Sequence, residues 1–390
     1  MFFKMPFVLL AIIIAIVLLD PFMPIEFKSA CYATSLTIKS IIVFSLPLII
    51  FGLLFKMAVN LSKQATQIIF LIFIAVCCSN FISTFLSHYI GIWVYKFDLS
   101  LAQPREGFDL EPLWYWELPK LIANDKAMFA GIILGIIAAR LKGKLAQNIA
   151  DWLESCITKI LTSFTYLIPL FIAGFVVKMQ FDGIILQILK EYTSIFAIVA
   201  VAQFSYIGLA YFIFPGSQGF IKSLKNMLPA AICGFSTMSS AASMPLTIMG
   251  AESNAHNKDL ARSVIPATVN IHLVGDCFAI PIFAYAVLKN FNMTEPALLT
   301  YLIFTFYFVM SKFSVAAIPG GGIIVMLPIL ESYLGFNAEM MSLITALYIL
   351  FDPVITCANV LGNGAFAKMI ERLLAAMKKE NWYNPLRQQL

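Results

Sequence analysis

Hydrophobic residues fill this chain in stretches about as long as a lipid bilayer is thick, and the polar residues inside them are few and regularly placed. Apolar runs at 6–19, 40–55, 66–78, 160–177 and 193–214 approach or exceed the ~20 residues with which an α-helix crosses the hydrocarbon core. The pattern predicts spans near 6–20, 39–58, 66–95, 127–141, 159–178, 192–215 and 262–288, with a last helix over 338–370. Two further apolar stretches are interrupted. The first, 226–252, contains CGFSTMSSAASMPLTIMG, with Ser236, Thr237, Ser239, Ser240 and Ser243 around its midpoint. The second, 297–334, contains SKFSVAAIPGGGIIVMLPIL, where Pro319 precedes Gly320, Gly321 and Gly322. Proline removes a backbone donor, and each glycine costs a helix about 1 kcal/mol relative to alanine, so this stretch cannot continue as one helix. Unwound backbone at membrane depth persists only where protein or a water-filled cavity satisfies it, and two broken segments in corresponding positions point to a transport site.

The last apolar stretch, LFDPVITCANVLGNGAFAKMI, carries Asp352, Thr356, Asn359 and Asn363. The spacings i, i+4, i+7 and i+11 put all four on one helical face. A polar row inside lipid is expensive unless it faces protein or water, so it predicts a surface that handles a polar solute.

Composition agrees. The chain is 61% hydrophobic and only 12% charged, about half the charged fraction of a soluble domain. Transmembrane β-strands would show alternating segments of about ten residues, which are absent. The net charge of +5 does not point to nucleic acid, because the basic residues cluster in short loops. With the N-terminus inside, the inner loops carry Lys56 and Lys63, then Arg140, Lys142 and Lys144, then Lys222, Lys225, Lys258 and Arg262, and the tail adds Lys368, Arg372, Lys378 and Lys379. The outer side has the acidic stretch 98–125. That asymmetry follows the positive-inside rule only if 226–252 and 297–334 each enter and leave on one side.

The N-terminal stretch reads as a spanning helix, since Asp20, Pro21 and Phe22 offer no small-residue cleavage site. Trp and Tyr in LEPLWYWELPK (110–120) predict an outer-interface segment. His88 reads as interfacial and His256 as a solvated loop residue. The seven cysteines share no metal-ligand spacing and read as packing residues.

Four motifs carry a resemblance. STMSSAASMP (236–245), IPATVNIH (265–272), AAIPGGG (316–322) and DPVITCANVLGN (352–363) resemble, in order and spacing, the two hairpin tips and last two helices of the dicarboxylate/amino acid:cation symporter family, the glutamate/aspartate transporter group. Weaker similarity extends upstream through LPLIIFGLLFKM (46–57) and residues 117–141.

The resemblance implies an all-α polytopic membrane protein with eight transmembrane helices plus two re-entrant helical hairpins, built as inverted repeats. On this plan 1–70 holds scaffold helices 1 and 2, 71–95 helix 3, 96–126 an extracellular loop, 127–180 scaffold helices 4 and 5, and 181–225 helix 6. Hairpin one is 226–256, helix 7 is 257–290, hairpin two is 291–336, and 337–390 holds helix 8 and a cytoplasmic tail. It further implies a homotrimer and no cofactor beyond a coupling ion, while the short loops fit a bacterial inner membrane and the loop charges predict both termini cytoplasmic.

Carried over residue by residue, the resemblance implies substrate contacts at Ser239, Ser240, Ile318, Pro319, Gly320, Gly321, Asp352, Ile355, Thr356 and Asn359. Asp352 would hold a substrate ammonium, and Ile355 with Met238 would line an apolar side-chain pocket. It implies cation contacts at Asn270, His272, Asp276, Asn359 and Asn363, with sodium at Asn270, Asn359 and Asn363.

The departures matter as much. Where the family has arginines, this chain has Ile355 and Met238, and neither pairs with a carboxylate as arginine does. Lys312 is a candidate replacement. Two family carboxylates become His272 and Asn363, which weakens a sodium site. His272 and Asp276, four residues apart on one predicted helix, are candidates for a proton relay.

The expected function is therefore a secondary active symporter for an amino acid or small dicarboxylate, cation-coupled and working by alternating access. The alternatives are a proton-coupled or uncoupled carrier of neutral amino acids and an anion-conducting, channel-like relative. No HExxH, GxSxG or phosphate-binding loop supports an enzyme.

Overall fold

The computed structural model describes residues 5–63, 67–96, 110–119, 122, 124–141, 143–183, 185–214, 219–315 and 321–382. The regular elements among them are all helical: α1 (Met5–Leu19), α2 (Ile25–Lys63), α3 (Gln67–Tyr95), α4 (Asn124–Leu141), α5 (Gly143–Phe181), α6 (Ile185–Ile213), α7 (Phe220–Thr237), α8 (Ser240–Asn254), α9 (Lys258–Thr268), α10 (Val274–Asn290), α11 (Leu298–Lys312), α12 (Gly321–Leu334) and α13 (Ala338–Trp382). A short 3₁₀ turn at Asp20–Phe22 joins α1 to α2. Stretches Ile25–Val59, Phe70–Tyr95, Tyr192–Ile213 and Ala338–Ala376 are long and apolar enough to cross a membrane.

The helices divide into an outer group and an inner one. Outside, α2 lies along both α4 and α5. Inside, every residue of α10 from Val274 to Leu288 is buried, as expected for a helix that is apolar all round. Around it stand α3, α6 and α13, while α7 pairs with α8 and α11 with α12 as two helical hairpins. In chain order each hairpin is followed by a long element that reaches the centre, first α9/α10 and then α13.

Several expected boundaries need correction. The second span begins at Ile25 instead of 39, the fifth at Gly143 instead of 159, and the last helix runs past 370 to Trp382. Hydropathy marks what can sit in lipid, whereas these extensions are held by protein. Ser35 Oγ of α2 donates to the Leu170 carbonyl (3.1 Å), and Tyr32 meets Phe175 edge-on.

The predicted span 262–288 is also not one helix. It breaks between Thr268 and Val274. Asn80 of α3, fully buried, bridges the unwound backbone: Nδ2 donates to the Ile271 carbonyl (2.7 Å) and Oδ1 accepts from the Leu273 N–H (3.3 Å). Buried backbone groups need partners, and this asparagine supplies two.

His88 is not interfacial. It is 3% exposed, and its Nδ1 lies 2.6 Å from the Tyr285 hydroxyl of α10. His256 is exposed, as expected, and all seven cysteines are free. The extended 110–119 segment lies across α2, with the Leu118 N–H donating to Ser40 Oγ and Trp114 Nε1–H to Thr37 Oγ1.

At the far end of α13, Glu371 clasps the start of α9. Its Oε1 accepts the His256 and Asn257 N–H groups (both 2.7 Å), and its Oε2 meets Lys368 Nζ (2.6 Å). A carboxylate over a helix N-terminus is favourable on charge grounds as well. Glu371→Ala is expected to destabilise the solubilised protein by about 1–3 kcal/mol, read as a lower unfolding temperature.

Candidate functional site

The four polar residues of α13 are all at least 96% buried and face α10 and the break before it. They divide into two pairs. Asn359 and Asn363 rivet the helix to the unwound segment. Asn359 Oδ1 accepts the Gly275 N–H and its Nδ2 donates to Asp276 Oδ2 (both 2.8 Å). Asn363 Nδ2 donates to the carbonyls of His272 (3.1 Å) and Asn359 (2.9 Å), and its Oδ1 accepts from the Thr268 hydroxyl (2.8 Å). Gly275 permits this approach, because a Cβ there would strike the Ile355 carbonyl.

Asp352 and Thr356 look instead into a cavity, with Thr356 Oγ1 donating to Asp352 Oδ1 (3.0 Å). The cavity has a volume of about 30 Å³, room for only a few waters. Hairpin one contributes Met238, Ser239 and Ser240, and the break contributes Val269, Asn270 and Leu273. Asp276 comes from α10, Val315 and Gly322 from the second hairpin, and Tyr348, Asp352, Thr356 and Asn359 from α13.

The tip of hairpin one is shaped to aim a helix end at this space. Met238 takes the left-handed conformation (φ 51°, ψ 31°), which costs a non-glycine residue about 1–2 kcal/mol. Ser239 then caps α8, its Oγ accepting the Ala242 N–H (3.2 Å). The first turn of a helix leaves N–H groups without partners inside the helix, and its dipole favours an anion. Opposite, α12 begins at Gly321, and a Cβ on the next residue, Gly322, would run into the Tyr348 hydroxyl and Asp276 Oδ1.

Of the expected site residues, Ser239, Ser240, Asn270, Asp276, Asp352, Thr356 and Asn359 line this one cavity. Gly321 adjoins it at the start of α12. Ile318, Pro319 and Gly320 lie outside the described residues. Asn363 sits beneath the cavity and does not open onto it.

Three other expected residues lie away from this cavity. Ile355 is fully buried in the hydrophobic core and is not part of the cavity wall. His272 and Asp276 do not meet, because His272 lies in the unwound segment, where helical i, i+4 geometry does not apply. His272 Nε2 is 2.8 Å from Ser79 Oγ and its ring packs on Phe366, on the side away from the cavity. Lys312, a candidate for a substrate carboxylate, is fully enclosed, with Nζ 3.5 Å from Asp276 Oδ1, and does not line the cavity either.

Tyr348 was not anticipated. It stands four residues before Asp352, so extending the polar stripe by one step reaches it. Its hydroxyl donates to Asp276 Oδ1 (2.7 Å).

A larger cavity of about 380 Å³ lies between α3, α6 and α13 on the other side of His272. Its walls are apolar apart from Ser79, Tyr206 and His272, so it lacks the convergent polar groups that orient a small polar ligand. Among the described residues no three His, Cys, Asp or Glu side chains gather to hold a metal ion.

The profile of the sodium:dicarboxylate symporter family matches residues 125–373, a stretch containing every residue of the small cavity. The chain is 26% identical over 255 residues to excitatory amino acid transporter 1 of Mus musculus and 25% identical to that of Homo sapiens. It is 24% identical over 251 residues to excitatory amino acid transporter 3 of Bos taurus. These alignments cover 62–63% of the chain, and the chain spans about half the length of the relatives it matches, 46–47%.

Proposed function

The chain belongs to the sodium:dicarboxylate symporter family, and from that premise we propose that it is a secondary carrier for a small neutral amino acid, working by alternating access. The observation that carries this reading is the polar cavity where the ends of two helical hairpins meet the stripe of α13. Asp352 pairs with the substrate ammonium. The first turn of α8, with Ser240, takes the carboxylate. Met238, Val269, Leu273 and Val315 leave an apolar place for the side chain. The described lining residues include no arginine or lysine to hold a second carboxylate, which favours a zwitterion over a dicarboxylate.

A cavity of about 30 Å³ is far smaller than an amino acid, so the second hairpin must withdraw to admit substrate and then reseat. That is the gating step of alternating access. The repeated order of hairpin then central element supports eight transmembrane helices with two re-entrant hairpins in inverted repeats. In this arrangement α2, α4 and α5 form the scaffold through which a homotrimer assembles. The carrier resides in a cell inner membrane with both termini cytoplasmic, as the loop charges suggest.

Counterflow in proteoliposomes tests the proposal. Liposomes preloaded with neutral amino acids are expected to accelerate entry of labelled neutral amino acid, saturably, while preloaded dicarboxylates do not. Flux that never saturates and ignores the preload would indicate a channel. Acceleration by dicarboxylates alone would overturn the substrate assignment.

A water-soluble maleimide gives a second check. Ser240→Cys is expected to be labelled in the absence of substrate and protected at least several-fold by saturating substrate. A cysteine never reached by the reagent would remove the aqueous cavity.

A further inference from the structure

The core of this molecule contains a charge arrangement that the carrier reading does not use. Asp276 is 1% exposed, and Lys312, the last residue of α11, is fully enclosed. Lysine is almost never so buried without a partner. Its Nζ lies 3.5 Å from Asp276 Oδ1 and 4.5 Å from the centre of the Phe308 ring, and it forms no hydrogen bond among the described residues. The same carboxylate accepts the Tyr348 hydroxyl at Oδ1 and the Asn359 amide at Oδ2. Asp276 thus holds α10, the second hairpin and α13 together around one negative charge.

Two of the neighbouring groups that could otherwise ligate a small cation, Asn359 and Asn363, are neutral and engaged. Asn359 and Asn363 each give their amide oxygen to an N–H or O–H of the chain. His272 faces Ser79. With neutral amides already bonded, and with a carboxylate already facing an ammonium, a hard cation such as sodium finds a poor donor set here.

We infer that Lys312 is a built-in counter-cation: its ammonium, tethered to the second hairpin beside Asp276 and over Phe308, supplies the positive charge that lets the hairpin seat on α10 and α13 without a bound alkali ion. The buried carboxylate needs compensation, since one partner of a buried pair left alone is strongly destabilising. A freely diffusing ion would give that charge only when bound. The lysine gives it whenever the hairpin is closed. For the carrier this removes the requirement for a sodium gradient; that consequence rests on the proposed function, but the ion response of the folded protein does not.

The test is thermal unfolding of the full chain in detergent, without substrate, in sodium, potassium, lithium or choline chloride at constant ionic strength. The wild type is expected to unfold at the same temperature in all four. Lys312→Met leaves Asp276 uncompensated and is expected to lose about 5 °C or more in choline. It should recover much of that loss, saturably, in at least one alkali cation. The double variant Asp276→Asn/Lys312→Met removes both charges and is expected to be more stable than Lys312→Met in choline and indifferent to the cation. Specific stabilisation of the wild type by sodium would overturn the inference. So would a Lys312→Met protein that no alkali ion rescues, or a double variant no more stable than the single one. Transport assays on the same preparations fail or succeed separately, so the two readings can be told apart.

Discussion

Asp352→Asn is expected to lower amino acid uptake by more than about 100-fold while leaving the protein folded. The expectation follows from what the amide keeps and what it loses. Asparagine matches aspartate in shape, and its carbonyl still accepts the Thr356 hydroxyl that now bonds Asp352 Oδ1. Packing at this 3%-exposed position therefore survives, and the unfolding temperature should move little. The negative charge does not survive. A substrate ammonium closed into the cavity would lose its only proposed partner, because Asp276 is already turned toward Lys312, Tyr348 and Asn359. Leaving one charge of a buried pair alone costs about 3–5 kcal/mol, and each 1.4 kcal/mol is a factor of ten in affinity. Counterflow on size-exclusion-purified protein reads the loss. Uptake at the wild-type rate would mean that the ammonium is held elsewhere, and the orientation of substrate in the cavity would have to be reversed.

The polar stripe was legible in the sequence because it depends on helical periodicity alone. Asp352, Thr356, Asn359 and Asn363 share a face in any continuous helix, and α13 is continuous through them despite Pro353. The glycine run is legible for a local reason, since proline and three glycines exclude an unbroken helix there, whereas the serine cluster marks only a polar interruption. The break at 269–273 was not. Its residues, Val269-Asn270-Ile271-His272-Leu273, carry no proline or glycine, and the unwound backbone is held by Asn80, nearly two hundred positions away. A helix continuous from 262 to 288 would set His272 beside Asp276, and the break removes the i, i+4 geometry that such a pair needs. Ile355 shows the finer limit. It lies three residues from Asp352, close enough to the stripe to suggest a pocket wall, yet it is fully buried in the core and off the cavity wall. Periodicity gives the face of a helix, while the neighbouring element decides which edge of that face is dry. Lys312 was visible as an oddity, a lysine in an apolar hairpin, but its partner depended on how two helices pack.

Gly322→Ala is the substitution expected to have the next largest effect, and it separates closure of the second hairpin from folding. Gly322 reaches the cavity at the start of α12, where an added Cβ would meet the Tyr348 hydroxyl and Asp276 Oδ1. Neither atom belongs to a flexible side-chain end free to swing away, for the two are hydrogen-bonded to each other and Asp276 is also held by Asn359. The hairpin must therefore stand off from α10 and α13. Alanine is the better helix former by up to about 1 kcal/mol, so α12 itself is not weakened. Uptake should fall by about tenfold or more, since overpacking of a tight contact costs about 1–3 kcal/mol. The unfolding temperature should fall less than for a core cavity, and substrate should no longer protect Ser240→Cys from maleimide. Tyr348→Phe removes the nearest colliding atom. The double variant Gly322→Ala/Tyr348→Phe should therefore transport faster than Gly322→Ala alone, a positive coupling in a double-mutant cycle. If Gly322→Ala instead transports like the wild type, the second hairpin never seats against Tyr348 and Asp276 during the cycle. The gate would then have to close on another surface.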